Sequence, residues 1–179
     1  GNSDVRRGMA CGLSRVLIMP IKVVADESLH IDTAYNLSNK MMGISQNQDG
    51  TIKMRADDYE TSLSNEGIDD EYYEYYYGLF NDGLKDSSMI DTPCEPYDAP
   101  QYQYIASAIG ITIGRLLHLN TVLTFSLGRL FNMLLFIAMI YFCIKKIPFG
   151  KMIVMLIALL PMTLQQMASF SYDSFIIPA

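Results

Sequence analysis

Three side chains that can do acid–base chemistry stand close together near the start of the sequence: Asp26, Glu27 and His30. On a helix, His30 lies four residues after Asp26 and three after Glu27, so the three side chains can converge on one face. Adjacent carboxylates hold a proton more tightly, above all in apolar surroundings. The cluster is therefore a candidate general base, and its carboxylates are a candidate cation site. The alternative is a helix N-terminus that favours acidic residues and has no chemical role.

Two further charged residues, Arg129 and Asp173, belong to the apolar part of the chain. Arg129 lies inside an otherwise uncharged stretch, and Asp173 is the single acidic residue of residues 101–179. An arginine at membrane depth needs an anion, so a lipid phosphate and a helix carboxylate are both candidate partners. Snorkelling of the side chain to the membrane edge is the non-functional alternative for Arg129. We predict that both residues contribute to substrate binding.

The elements that must position these residues follow from an uneven distribution of charge. Residues 1–100 hold 18 of the 19 acidic residues, whereas residues 101–179 hold one acidic and five basic residues. A soluble domain rarely segregates charge in this way, but a membrane protein with a large polar loop does so naturally. The net charge of −6 argues against a nucleic-acid partner.

Two apolar stretches are long enough to cross a bilayer. Residues 121–144 contain one charge and would rise about 36 Å as a helix, which covers a hydrocarbon core of about 30 Å. Residues 152–170 are close to the minimum length for a second span, and Pro161 is expected to kink this helix. A pair of buried helices in a soluble protein is the alternative, which the uncharged run over residues 130–144 disfavours.

The short loop between these stretches predicts their orientation. Residues 145–151 contain Lys145, Lys146 and Lys151, and short loops rich in lysine stay in the cytoplasm. The first span then runs inward and the second runs outward. We therefore expect the acidic cluster near residue 26 to lie outside the cytoplasm.

The sequence as a whole predicts a mainly α-helical, polytopic membrane protein with two clear transmembrane helices and a large first loop outside the cytoplasm. The abrupt, apolar ends of the chain are interpreted as those of an N-terminal fragment. The expected segments are a remnant of a first membrane helix (1–25), the outer loop (26–120), a transmembrane helix (121–144), a cytoplasmic loop (145–151), a second transmembrane helix (152–170) and the start of the next outer segment (171–179).

Within the outer loop, residues 26–42 have the apolar spacing of a helix, with Asp26 as its N-cap. Residues 102–119 predict a short interfacial helix, anchored by Tyr102 and Tyr104. Its Gly110 and Gly114 form a GxxxG pattern, which permits close contact with another helix. Residues 57–77 are acidic and rich in tyrosine, and their run over residues 71–77 is interpreted as a solvated loop rather than a helix.

Several short stretches resemble a bacterial membrane family, in the order in which that family has them. These stretches are Ala25–His30, Ala34–Ser38, Gly128–Asn132, Pro148–Lys151, Leu160–Thr163, Ala168–Ser169 and Tyr172–Asp173. On these residues the chain resembles the family known as domain of unknown function 2142. Ala25 and Ser28 stand where that family has prolines beside its acidic pair, and the insert at residues 57–77 has no counterpart in it.

The family in turn resembles the GT-C class of membrane glycosyltransferases, which have an acidic pair in the first outer loop. The resemblance implies Asp26 and Glu27 as catalytic residues, with His30 and Asp173 as second candidates. It implies Arg129 as a contact for a lipid phosphate. A divalent cation, Mg²⁺ or Mn²⁺, is the implied cofactor, with Asp26 and Glu27 as its ligands.

The resulting hypothesis is a transferase of the cell membrane that moves a sugar from a polyprenyl-phosphate carrier to a cell-surface glycan. Charged nucleotide sugars do not cross a bilayer unaided, so a lipid-linked donor is the natural one for a site outside the cytoplasm. One alternative is a non-catalytic membrane component for export or assembly of surface polysaccharide. Another is a membrane-anchored binding domain whose residues 57–77 recruit a cationic partner.

Overall fold

The computed structural model describes residues 26–63, 78 and 83–177. Within these residues the architecture is mainly helical, with one pair of short strands. The helices are α1 Glu27–Met41, α2 Ala56–Leu63, α3 Ile105–Leu116, α4 Thr121–Lys146, α5 Lys151–Ala158, α6 Pro161–Met167 and α7 Asp173–Ile176, with strands β1 Lys53–Arg55 and β2 Met89–Asp91 and a 3-10 helix Gln101–Tyr104. The expected membrane-helix remnant at 1–25 and most of the acidic stretch at 57–77 lie outside the described residues.

Helices α3 and α4 pack against each other at glycine positions, where the backbones come close. A Cβ atom at Gly110 would collide with the backbone carbonyl of Leu127, and one at Gly114 would lie 2.9 Å from the Cα of Thr124. Both contacts would be closer than the van der Waals contact distance. The close helix contact that the GxxxG pattern predicts is therefore present, and its partner is the long apolar helix.

Helix α4 changes its surroundings halfway along its length. Every residue from Thr121 to Met133 is buried or half-buried against the rest of the protein. Beyond Met133 large apolar side chains become exposed, with Leu134 at 48% and Phe142 at 59%. Within the described part of the chain, α4 is the one helix long and apolar enough to cross a membrane. Its first half belongs to the protein core, and its second half carries an apolar face that none of the described residues covers.

The second apolar stretch is two short helices rather than one kinked helix. Helix α5 ends at Ala158 and α6 begins at Pro161, with Leu160 extended at ψ 139°. A residue that precedes proline is sterically pushed out of the helical region, and proline has no N–H to donate to the preceding turn. The eight residues of α5 are only about 12 Å long. The expectation of two clear transmembrane helices is not confirmed, because α5 and α6 are each too short to span a bilayer.

The acidic stretch 57–77 begins within helix α2, whereas its run over residues 71–77, predicted to be a solvated loop, lies outside the described residues. Asp58 on α2 is fully buried, and its carboxylate binds the Arg55 guanidinium at 2.7 and 2.9 Å. The same carboxylate accepts hydrogen bonds from the hydroxyls of Tyr35 and Thr121, each at 2.8 Å. Asp58 thereby connects α1, β1 and the start of α4. A buried carboxylate is stable only when its oxygens accept hydrogen bonds, and these three elements supply the donors.

We expect Gly110→Ala to lower the free energy of unfolding. The new methyl group would overlap the fixed carbonyl of Leu127, and such overpacking typically costs about 1–3 kcal/mol. This exceeds the helix-propensity gain of alanine over glycine, which is at most about 1 kcal/mol. The measurement is chemical unfolding in detergent micelles. Gly83→Ala is the matched control, because a Cβ atom there meets nothing within 4 Å; equal stability of the two variants would contradict the prediction.

Candidate functional site

Asp26 lies just before α1 and is exposed to solvent. Its backbone is left-handed, with φ 60° and ψ 5°, a conformation that aspartate and asparagine tolerate better than most residues. Asp26 occupies the N-cap position, as predicted, but its side chain makes no capping hydrogen bond. Its carboxylate therefore does not cap α1.

Glu27 and Arg129 form a buried, two-pronged ion pair. The Arg129 Nε and Nη2 atoms donate to the two carboxylate oxygens of Glu27 at 2.8 and 2.7 Å, and each residue is only 1% exposed. Paired, planar geometry of this kind gives the strongest hydrogen bonds between charged groups. Of the two partners predicted for Arg129, the structure has the helix carboxylate. Glu27 thereby fixes the first turn of α1 against α4.

Asn132, one helical turn after Arg129, holds a different segment of the chain. Its side-chain amide donates to the backbone carbonyls of Ser169 at 2.7 Å and Ser171 at 3.1 Å. The Ser171 hydroxyl in turn accepts from the backbone N–H of Asp173 at 3.2 Å. Asn132 is thus a positioning residue for Asp173 at the start of α7.

His30 lies one turn into α1, in a ring of tyrosines. Its Nδ1 atom shares a 2.8 Å hydrogen bond with the Tyr104 hydroxyl. The rings of Tyr97 and Tyr172 meet the imidazole edge-on, at centroid distances of 6.3 and 5.1 Å. Edge-to-face contacts of this type are favourable and restrain ring orientation. Tyr104, predicted to be an exposed membrane anchor, is instead 1% exposed and part of this ring, so that prediction is wrong.

Burial and nearby carboxylates act on His30 in opposite directions. Burial lowers the pKa of His30 below its ordinary value of 6.5, while the charges of Asp26, Asp173 and Glu27 raise it. Burial wins, so the imidazole is mainly neutral at pH 7. Burial also raises the pKa of Tyr104 above its ordinary value of 10.0, so its hydroxyl keeps its proton. The shared hydrogen bond is therefore one between two neutral groups.

The structure brings four of the five predicted residues, Asp26, Glu27, His30 and Asp173, into one electrostatic neighbourhood. The fifth, Arg129, lies beside them as the ion-pair partner of Glu27. Sequence reasoning missed the tyrosine ring and Asn132. Position 132 carried a usable signal, since a polar residue three positions after an arginine in an apolar helix shares its helix face. The tyrosines carried no signal of this kind, because they come from separate segments.

Metal binding by the acidic pair finds no support in the geometry. Within the described ranges, no three His, Cys, Asp or Glu side chains are placed to hold one metal ion. Both carboxylate oxygens of Glu27 bind Arg129, which leaves Asp26 as the exposed member of the pair. The residues present therefore do not fit the implied Mg²⁺ or Mn²⁺.

A long apolar helix with an unpartnered face, joined to a polar-rich region, is typical of an integral membrane protein. The chain belongs to the family described as predicted membrane protein (DUF2142), whose profile matches residues 10–179. No curated protein and no solved structure is significantly similar to it. The family description gives the membrane class and no activity.

We expect Arg129→Met to lower the free energy of unfolding by about 3–5 kcal/mol, because it leaves the Glu27 carboxylate buried without a counter-charge. The measurement is chemical unfolding in detergent micelles. The control is the double variant Glu27→Leu with Arg129→Met. Replacing both charges by apolar groups should recover most of the loss. A double variant that is as unstable as the single one would contradict the pairing.

Acidification should destabilise the fold through His30. Between its unfolded pKa of 6.5 and its lower folded pKa, the unfolded chain binds a proton that the folded chain refuses. The free energy of unfolding is therefore unaffected by His30 above about pH 6.5. It decreases as the pH falls towards the pKa of His30 in the folded protein. We expect the thermal midpoint of His30→Gln to fall less than that of the wild type between pH 7 and pH 5, while His118→Asn follows the wild type. Parallel curves for wild type and His30→Gln would refute this.

Proposed function

We propose that the protein is a multi-pass membrane glycosyltransferase of GT-C type, which transfers a sugar from a polyprenyl-phosphate carrier to a cell-surface glycan. The observation that carries the proposal is the position of the site on α4. Arg129 holds the start of α1, and Asn132 holds the segment before α7. Both residues lie where the buried half of α4 gives way to the exposed apolar half.

That position suits a substrate whose reacting group is polar and whose tail is hydrocarbon. Arg129 is eight residues into α4, about 12 Å from its start. From Leu134 onward the exposed side chains are of the kind that faces lipid. A lipid-linked donor would keep its tail along this apolar face and its sugar phosphate at the level of Asp26 and Asp173.

Asp26 is the residue best placed to act as general base. It is exposed, and its backbone has an uncommon left-handed conformation. Two residues on the first turn of α1 are held in place beside it, Glu27 by Arg129 and His30 by Tyr104. In the proposed reaction an acceptor hydroxyl transfers its proton to the Asp26 carboxylate. The oxygen of the acceptor hydroxyl bonds to the anomeric carbon of the donor sugar. The bond from that carbon to the phosphate oxygen breaks, which releases polyprenyl phosphate.

The proposed topology places Asp26 outside the cytoplasm. The lysines at residues 145–151 follow α4, and short basic loops remain on the cytoplasmic side. The N-terminal end of α4, with the site beside it, then faces the opposite side. An outward-facing site has access to lipid-linked sugars that have been flipped across the membrane and to surface glycans.

We expect Asp26→Asn to abolish sugar transfer and to leave folding and membrane insertion intact. Asparagine has the same shape and tolerates the left-handed backbone, but it cannot accept the proton. The measurement is the monosaccharide composition of the surface glycan in cells that lack the native gene and carry each variant.

The control for this test is Asp49→Asn, which removes an exposed carboxylate of the polar loop after α1. It should restore the glycan as fully as the wild type, at equal protein levels in the membrane. Full restoration by Asp26→Asn would exclude Asp26 as the base. It would also favour the alternative, a non-catalytic component for export or assembly of surface polysaccharide.

A further inference from the structure

A groove separate from the site above opens between the second half of α4, α5 and α6. Its volume is about 180 Å³. Its walls include Phe136, Ile140 and Tyr141 from α4, Met155 and Ala158 from α5, and Leu164 from α6. Apolar side chains line it almost completely, and such a surface is stabilised when hydrocarbon replaces the water against it. The groove therefore fits a hydrocarbon segment.

Three positive charges flank one end of this groove. Lys145 and Lys146 directly follow Ile144, which lines the groove, and Lys151 begins α5 one turn before Met155. One helical turn is about 5.4 Å, so each of the three lysines lies within about one turn of a lining residue along the chain. All three residues are exposed, and residues 101–172 contain no acidic residue. The charges at the mouth are therefore not neutralised by nearby sequence.

We propose that this groove binds an acyl chain of an anionic phospholipid whose headgroup phosphate contacts Lys145, Lys146 and Lys151. The charge pattern selects this occupant. A second protein helix would have to bring acidic side chains to the lysines, whereas an anionic lipid brings hydrocarbon and negative charge in one molecule. Lysines at a membrane edge attract anionic headgroups, and each contributes to binding while it stays near the surface. The lysine loop then anchors the end of α4 to one class of lipid.

The test uses tryptophan fluorescence, because the chain has no tryptophan of its own. Tyr141→Trp places a reporter in the groove wall, and Phe142→Trp places one at the same depth outside the lining. Each variant of this chain is reconstituted in two sets of vesicles made of phosphatidylcholine with a small fraction of phosphatidylglycerol. The acyl chains carry bromine, a contact quencher, on the phosphatidylglycerol in one set and on an equal amount of phosphatidylcholine in the other.

We expect Tyr141→Trp to be quenched at least about twofold more by brominated phosphatidylglycerol than by brominated phosphatidylcholine, and Phe142→Trp to be quenched equally by both. Changing Lys145, Lys146 and Lys151 together to Gln should remove the preference. Changing Lys40, Lys53 and Lys85 together to Gln, in the outer part of the chain, should leave the preference for brominated phosphatidylglycerol unchanged.

Filling the groove separates chain binding from simple charge attraction. Ala158→Phe should reduce the preference at Tyr141→Trp, whereas Leu156→Phe, on an exposed position of α5 outside the lining, should not. Equal quenching of Tyr141→Trp by both lipids overturns the proposal. Absence of quenching by either lipid also overturns it, because another part of the protein or a second copy then fills the groove. A preference that survives Ala158→Phe overturns the role of the groove itself.

Discussion

The ion pair between Glu27 and Arg129 is the interaction on which the arrangement of the site depends. An arginine in an apolar helix must find an anion, because an unpaired buried charge is strongly destabilising. Here that anion is the first residue of α1, 102 positions earlier in the chain. The pair therefore does more than satisfy a charge. It fixes where α1 begins relative to α4, and so where the exposed Asp26 and the buried His30 stand.

Three residues on two turns of α4 hold the surrounding segments in place. Gly128 leaves room for the Phe170 ring, which would lie 2.6 Å from a Cβ atom at that position. Arg129 binds the start of α1, and Asn132 binds the carbonyls of Ser169 and Ser171. Because these three residues are neighbours on one rigid helix, the start of α1 and the segment before α7 cannot shift independently of each other. The family resemblance at residues 128–132 thus falls on the stretch that organises the site.

A second buried pair stabilises the opposite end of the same region. Arg55 and Asp58 bind each other, and Asp58 also accepts from Thr121 in the first turn of α4. A carboxylate at a helix N-terminus is favoured by the helix dipole. Arg115 lies 4.6 Å from the centre of the Tyr35 ring, a cation–π contact that joins α3 to α1. The polar part is therefore held to the first half of α4 at two places, whereas the second half packs against α5 and α6.

Three features could be predicted from local sequence patterns: the helix near residues 26–42, the long apolar helix beginning at Thr121, and the close contact at Gly110 and Gly114. Hydropathy and residue size act over a few turns, so a single sequence displays them. The tertiary structure decided the rest. The partner of Arg129, the tyrosines around His30 and the burial of Asp58 join residues far apart in the chain, and no local pattern encodes such a pairing. The break before Pro161 was visible locally, but only the folded chain decided between a kink and two separate helices, because neighbouring segments determine whether the freed backbone groups are satisfied.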